Sequence, residues 1–124
     1  MLQLESGWQV SVDISTEWIF FRLESIGSEN VKPPLSESIW EIARRHGIRR
    51  LVCDVAEAVC INSYLIGQFV LLHKRAYLDG GTLRLCGLSE NNHAVLRMMR
   101  LGDRFPNYES REGAVMGYPP RKPR

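Results

Sequence analysis

A single serine stands where a short apolar run, Val59-Cys60-Ile61, meets a long apolar segment that opens Tyr64-Leu65-Ile66-Gly67. Leu65, Ile66, Phe69, Val70, Leu72 and Ala76 recur at helical spacing and predict a helix from Ser63 to Leu78, closed by Asp79-Gly80-Gly81. Ser63 therefore falls at a helix N-terminus, with Asn62 just before it. A serine there can do three kinds of chemistry. It can cap, its hydroxyl or the Asn62 amide accepting a hydrogen bond from a backbone N–H that the first turn leaves unpaired. It can attack, but the strand-to-helix elbow of serine nucleophiles needs small residues two positions to either side, and those positions hold Ile61 and Leu65. His46, His73 and His93 lie in no motif that would supply a base, so a hydrolase has no constellation to stand on. Or it can carry a phosphate, which meets unpaired N–H donors and the positive end of the helix dipole. That modification adds about −1.5 to −2 charges, enough to expel a partner that must desolvate the patch. The outcome is a switch rather than a catalyst.

The elements that must hold Ser63 are legible in the patterning. Trp8 to Ile14 alternates apolar and polar, the period of a half-buried strand, and Trp18-Ile19-Phe20-Phe21-Arg22-Leu23 reads as a second. The short polar break Ser15-Thr16-Glu17 joins them as an antiparallel hairpin. Gly27 to Pro34 is a loop, followed by a helix over Ser36 to His46 with Leu35, Ile39, Ile42 and Ala43 on one face. Ser36 is its expected N-cap and Gly47 its left-handed end, and its acidic residues lead while Arg44, Arg45 and His46 trail. Leu51-Val52-Cys53 forms a buried strand ending at Asp54, and residues 55–61 a turn and a further extended piece. Thr82 to Leu88 is an alternating strand. Asn91 to Leu101 is an amphipathic helix with Ala94, Val95, Met98 and Leu101 expected inward. Phe105 to Tyr108 is a short strand and Ser110 to Met116 a terminal helical turn.

This order makes a single α/β domain over residues 1–117, a mixed β-sheet with helices packed against it, and residues 118–124 a flexible basic proline-rich tail. Helical crossovers make the later strands parallel and right-handed in connection. In such sheets function gathers beyond the carboxyl ends of the strands, where helices begin. Ser63 occupies one of those positions.

Composition narrows the setting. The 124 residues suffice for one core, and a formal net charge of +2 is too small to make nucleic acid or an anionic membrane the main partner. The arginines Arg44, Arg45, Arg49 and Arg50 read as a solvated charged end, because no aromatic stacking platform is interleaved with them. No apolar run reaches the roughly 18 residues of a membrane span, and the N-terminus lacks the pattern of a signal peptide. Cys53, Cys60 and Cys86 are odd in number and lack the close pairing of zinc ligands. They read as buried small hydrophobes in a reducing, cytoplasmic compartment; no metal and no cofactor is expected. The aromatics Trp18, Phe20 and Phe21 would make an edge strand self-associating, which suggests a homodimer.

The span from Trp18 to about Met116 resembles a STAS domain of the anti-sigma-factor antagonist type. The resemblance is carried by Leu51-Val52-Cys53-Asp54, by Ile61-Asn62-Ser63, by the apolar helix, by Gly80-Gly81 and by the strand Thr82 to Leu88. The family's motif places the first serine of an Asp-Ser-Ser-Gly-Leu-like turn nine residues after the aspartate that ends an apolar strand, and Asp54 and Ser63 keep that spacing. Asn62 stands for the family's aspartate, Tyr64 for the second small hydroxyl residue and Leu65 for the glycine. The Gly-x-Leu-Asp element of the second strand is not reproduced between Leu23 and Asn30. The resemblance implies a non-enzymatic bacterial regulator. Its partner would be an anti-sigma serine kinase of GHKL type that phosphorylates Ser63, and a metal-dependent serine phosphatase would reset it. Asn62, Ser63, Tyr64 and Ile66 would contact the partner and Asp54 would brace the turn. The alternative is a STAS-type scaffold or adaptor that no kinase modifies, docking to a transporter or signalling assembly, which the altered motif favours.

Overall fold

The structure, a computed structural model, describes residues 2–3, 9–25, 34–55 and 60–117. The expected loop at 27–33, the turn at 56–59 and the tail at 118–124 lie outside them. Strands β1 (Leu2–Gln3), β2 (Gln9–Ile14), β3 (Trp18–Ser25), β4 (Arg50–Val55), β5 (Thr82–Cys86) and β6 (Asn107–Tyr108) form one sheet in the order of the chain. The first two pairings, β1 with β2 and β2 with β3, are antiparallel, and the remaining three are parallel. Helices α1 (Leu35–His46), α2 (Ser63–Leu78) and α3 (Glu90–Met98) are the crossovers between the parallel strands, and α4 (Arg111–Met116) follows β6. Each crossover steps one strand further in the same direction, so a common hand puts α1, α2 and α3 on one face.

Alternation along the strands divides the core accordingly. Leu51, Cys53 and Val55 of β4 and Leu83 and Leu85 of β5 pack with Leu35, Ile39, Leu65, Phe69, Leu72 and Leu96 of the three crossover helices. Val52 and Cys86 point the other way, into a smaller cluster with Trp18, Tyr108 and Ala114 of α4. Arg84 reaches across that second face and donates to the α4 carbonyl of Ala114 at 2.6 Å, with its guanidinium 5.5 Å from the Trp18 ring centre. Arg111 covers Phe20 in the same way at 5.4 Å.

Four expectations are corrected. First, Ser36 does not cap α1. The helix starts at Leu35 after Pro34, and Ser36 is 2% exposed with its N–H donated to Gln68 Oε1 at 2.9 Å. The first turn of α1 faces α2, so a neighbouring helix supplies the acceptor that a cap would have supplied. Gly47, by contrast, takes the left-handed conformation at φ 64° that ends the helix. Second, α3 presents Asn92 and Leu96 inward and leaves Val95 and Met98 exposed. Leu101 is not on that helix at all: Arg100 turns the chain at φ 60°, and Leu101 packs inward from the loop. Third, the aromatic strand β3 lies between β2 and β4 rather than at an edge, with Trp18 and Phe21 buried, so that route to a homodimer is absent. Fourth, Cys60 is exposed, unlike Cys53 and Cys86.

Candidate functional site

Asn62 precedes α2 in extended conformation, and its Oδ1 accepts a hydrogen bond from the Leu65 N–H at 2.8 Å. Its backbone carbonyl accepts from the Ile66 N–H at 3.0 Å. The capping duty that Ser63 could have performed is thus discharged by its neighbour. Ser63 becomes the first residue of the helix, exposed, and among the described residues its hydroxyl makes no hydrogen bond.

The turn is held from below by a residue that hydrophobic periodicity could not reveal. Asn92, 4% exposed in the first turn of α3, accepts the Ile61 N–H on its Oδ1 at 3.2 Å. Its own N–H donates to the hydroxyl of Ser89, the N-cap of α3, at 3.1 Å. This polar contact sets the rotation of α3, which explains why the apolar Val95 and Met98 are turned outward. It also ties the start of α3 to the residue before Asn62, so two helix N-termini share one corner beyond the carboxyl ends of β4 and β5.

The remaining expected site residues separate. Tyr64 is half-buried and packs against the main core. Ile66 is 1% exposed and belongs to that core, so it offers no contact surface; the helical turn that exposes Ser63 points Ile66 at the sheet. The outward positions in line with Ser63 are instead Gly67 and Leu71, at successive four-residue steps, with Leu71 51% exposed. A methyl group at Gly67 would meet nothing within 4 Å, so no packing within the described chain requires a glycine there. The sequence signal for these two was the apolar content of α2, which exceeds what one buried face needs.

Among the described residues, Asp54 makes no hydrogen bond or ion pair with the Ser63 turn. It follows Val52 on the opposite face of the sheet, where its carboxylate lies 3.7 Å from the Arg111 Nε. The same arginine donates to Asp13 at 3.0 Å. Asp54 therefore helps hold α4 over Phe20. Burial and the Asp54 charge together push the neighbouring Cys86 thiol up to about 12, and burial raises Cys53 as well, which keeps both as inert thiols. His73, edge-on to Phe105 at 5.4 Å, is held below the usual histidine range by burial and then by Arg104. Burial and then Arg97 lower His93 likewise. Among the described residues no three side chains of histidine, cysteine, aspartate or glutamate gather to hold a metal. Nor, among the described residues, is any helix long and apolar enough to cross a membrane.

No protein-family model and no curated protein matches the chain. Among solved structures, the NMR structure of the protein TM1081 is similar, with a TM-score of 0.72 over 85% of this chain and 84% of that one. At 17% identity, that likeness shows the fold alone.

Proposed function

We propose that this chain is a non-enzymatic, cytoplasmic regulator of the anti-sigma-factor-antagonist kind, which binds an anti-sigma serine kinase of GHKL type through the corner around Ser63. The observation that carries the reading is the division of labour at the start of α2. Asn62 caps the helix and leaves the Ser63 hydroxyl exposed and, among the described residues, without a hydrogen bond. A phosphate there gains from the helix dipole and from N–H groups of the first turn, so the fold tolerates it. A partner seated on Gly67 and Leu71 would meet its charge at the rim of the contact. The vacant space over Gly67 supports such a seat, since a mid-helix glycine costs about 1 kcal/mol against alanine and nothing in the described chain requires it. A serine phosphatase would complete the cycle.

The second reading, a scaffold or adaptor that is never phosphorylated, draws on Tyr64. This side chain fills the turn where the family has a small hydroxyl residue, and it is partly committed to the core. Incubation with a GHKL-type serine kinase from the same source and ATP, followed by intact-mass measurement, separates the two. Addition of one phosphate, lost in Ser63→Ala, is the expected result. A kinase that binds the chain yet transfers nothing removes the switch and leaves the scaffold.

A further inference from the structure

At the opposite end of the sheet, a groove of about 460 Å³ lies between the C-terminal ends of α1 and α2. Trp40, Ala43, Ile48 and Leu78 supply its apolar wall, Arg44, Arg49 and Arg75 its positive charge, and Asp79 a single carboxylate. Its volume is that of a small-molecule site, and an apolar lining with a few convergent polar groups is the composition such sites have.

The fold does not use these groups fully. Basic residues at helix C-termini usually serve the terminal carbonyls and the dipole. Here backbone N–H groups cap those carbonyls: Gly47 and Ile48 donate to Arg44 and Ala43, and Gly80 and Gly81 donate to Tyr77 and Ala76. Arg49 is neutralised by Asp79, but Arg44 only approaches Glu41 at 3.8 Å while 72% exposed, and Arg75 has no carboxylate within 4.0 Å among the described residues. Leu78 stays 76% exposed beside them, and the Trp40 indole is only half-buried. Dipole complementarity explains arginines at a helix end; it does not explain an indole and a leucine left open next to them.

We propose that this groove binds a small organic anion, a phosphate or carboxylate that carries a planar or short apolar body. Arg44 and Arg75 hold the anionic group, Arg44 as a fork that matches two of its oxygens. Trp40, Ile48 and Leu78 receive the body. Asp79 lines the groove paired with Arg49, and Glu41 lies 3.8 Å from Arg44. The two carboxylates would repel an extended anionic surface such as a bilayer or a nucleic-acid backbone, so the occupant is a single compact anion held by Arg44 and Arg75. The site stands apart from the Ser63 corner, and the two can fail independently.

The test is an NMR titration of the full-length, ¹⁵N-labelled chain with phenyl phosphate and, separately, inorganic phosphate. The expected result is saturable shifts at the Trp40 indole N–H, the Gly47 and Ile48 amides and the arginine Nε–H groups of Arg44 and Arg75, with phenyl phosphate the tighter ligand. The double variant Arg44→Gln/Arg75→Gln binds about tenfold more weakly or worse, while Arg45→Gln, outside the groove, binds as the parent does. Equal loss in Arg45→Gln, shifts centred on another surface, or no saturable binding of phenyl phosphate overturns the proposal. So does sedimentation with phosphatidylcholine–phosphatidylglycerol vesicles by a chain that ignores phenyl phosphate.

Discussion

The two ends of the sheet satisfy their helix termini with different groups. Where α2 and α3 begin, side chains do the capping: Asn62 on the Leu65 N–H and Ser89 on the Asn92 N–H. Where α1 and α2 finish, the backbone caps itself through Gly47, Ile48 and Gly81. In each case the functional question is what the cap leaves over. At the first end the remainder, among the described residues, is one exposed hydroxyl, Ser63. At the second it is a pair of guanidinium groups beside an open indole. The comparison teaches that a residue at a helix terminus becomes a candidate for function only after the terminus has been satisfied by something else.

Substitutions at each end sharpen this contrast. The largest effect is expected where α2 finishes and β5 begins. A methyl group on Gly81 would overlap the Arg49 carbonyl, which accepts the Thr82 N–H at 3.0 Å, so Gly81→Ala must displace backbone. A loss of more than about 3 kcal/mol in urea unfolding is expected; a parent-like midpoint would mean that this junction is looser than described. Next comes Asn92→Ala, which strands the buried Ile61 N–H and should cost about 1–3 kcal/mol. Amide exchange should quicken at residues 60–65 ahead of the rest of the main core; uniform exchange would break the link between α3 and the Ser63 corner.

Asn62→Ala should cost about 1 kcal/mol, whereas Ser63→Ala stays within about 0.5 kcal/mol. The reverse order would assign the cap to the serine and remove the premise of the proposed switch. Gly67→Ala should stabilise the free protein by up to about 1 kcal/mol, because the space is open and the helix gains propensity. If that methyl also weakens partner binding, the seat lies over Gly67. The smallest effect concerns pH. His73 and His93 are half-buried and both held below their unfolded value, so the unfolded chain binds more protons between the two values. Stability is therefore complete above the ordinary histidine range and falls as pH is lowered through about 6.5. A urea midpoint that is flat from pH 7.5 to 5 would contradict the burial assigned to these rings.

Much of the fold was legible because hydrophobic period and turn residues agree along most of the chain. The extent of α2 from Ser63 to Leu78 and the left-handed Gly47 follow from local pattern alone. Three of the differences involve polar contacts between elements distant in sequence. Ser36 looked like a cap because its acceptor partner, Gln68, lies thirty-two positions away. The rotation of α3 looked inverted because Asn92, not an apolar stripe, chooses it. Asp54 seemed to serve the following turn, yet strand alternation sends it to the opposite face to meet Arg111. At the candidate site, Ser63 and Asn62 could be located from sequence, but which of them caps could not. Ile66 was misplaced for a simpler reason: in a helix that is apolar nearly all round, the period does not say which face is open.

The most direct test of the account is the affinity of a GHKL-type anti-sigma kinase for three forms of the chain: parent, Ser63→Ala and Ser63→Glu. Parent and Ser63→Ala should bind alike, because among the described residues the hydroxyl makes no hydrogen bond, and Ser63→Glu should lose at least about tenfold, or 1.4 kcal/mol, from a charge placed at the contact. Equal binding by all three forms would place the partner elsewhere on the molecule and contradict the account.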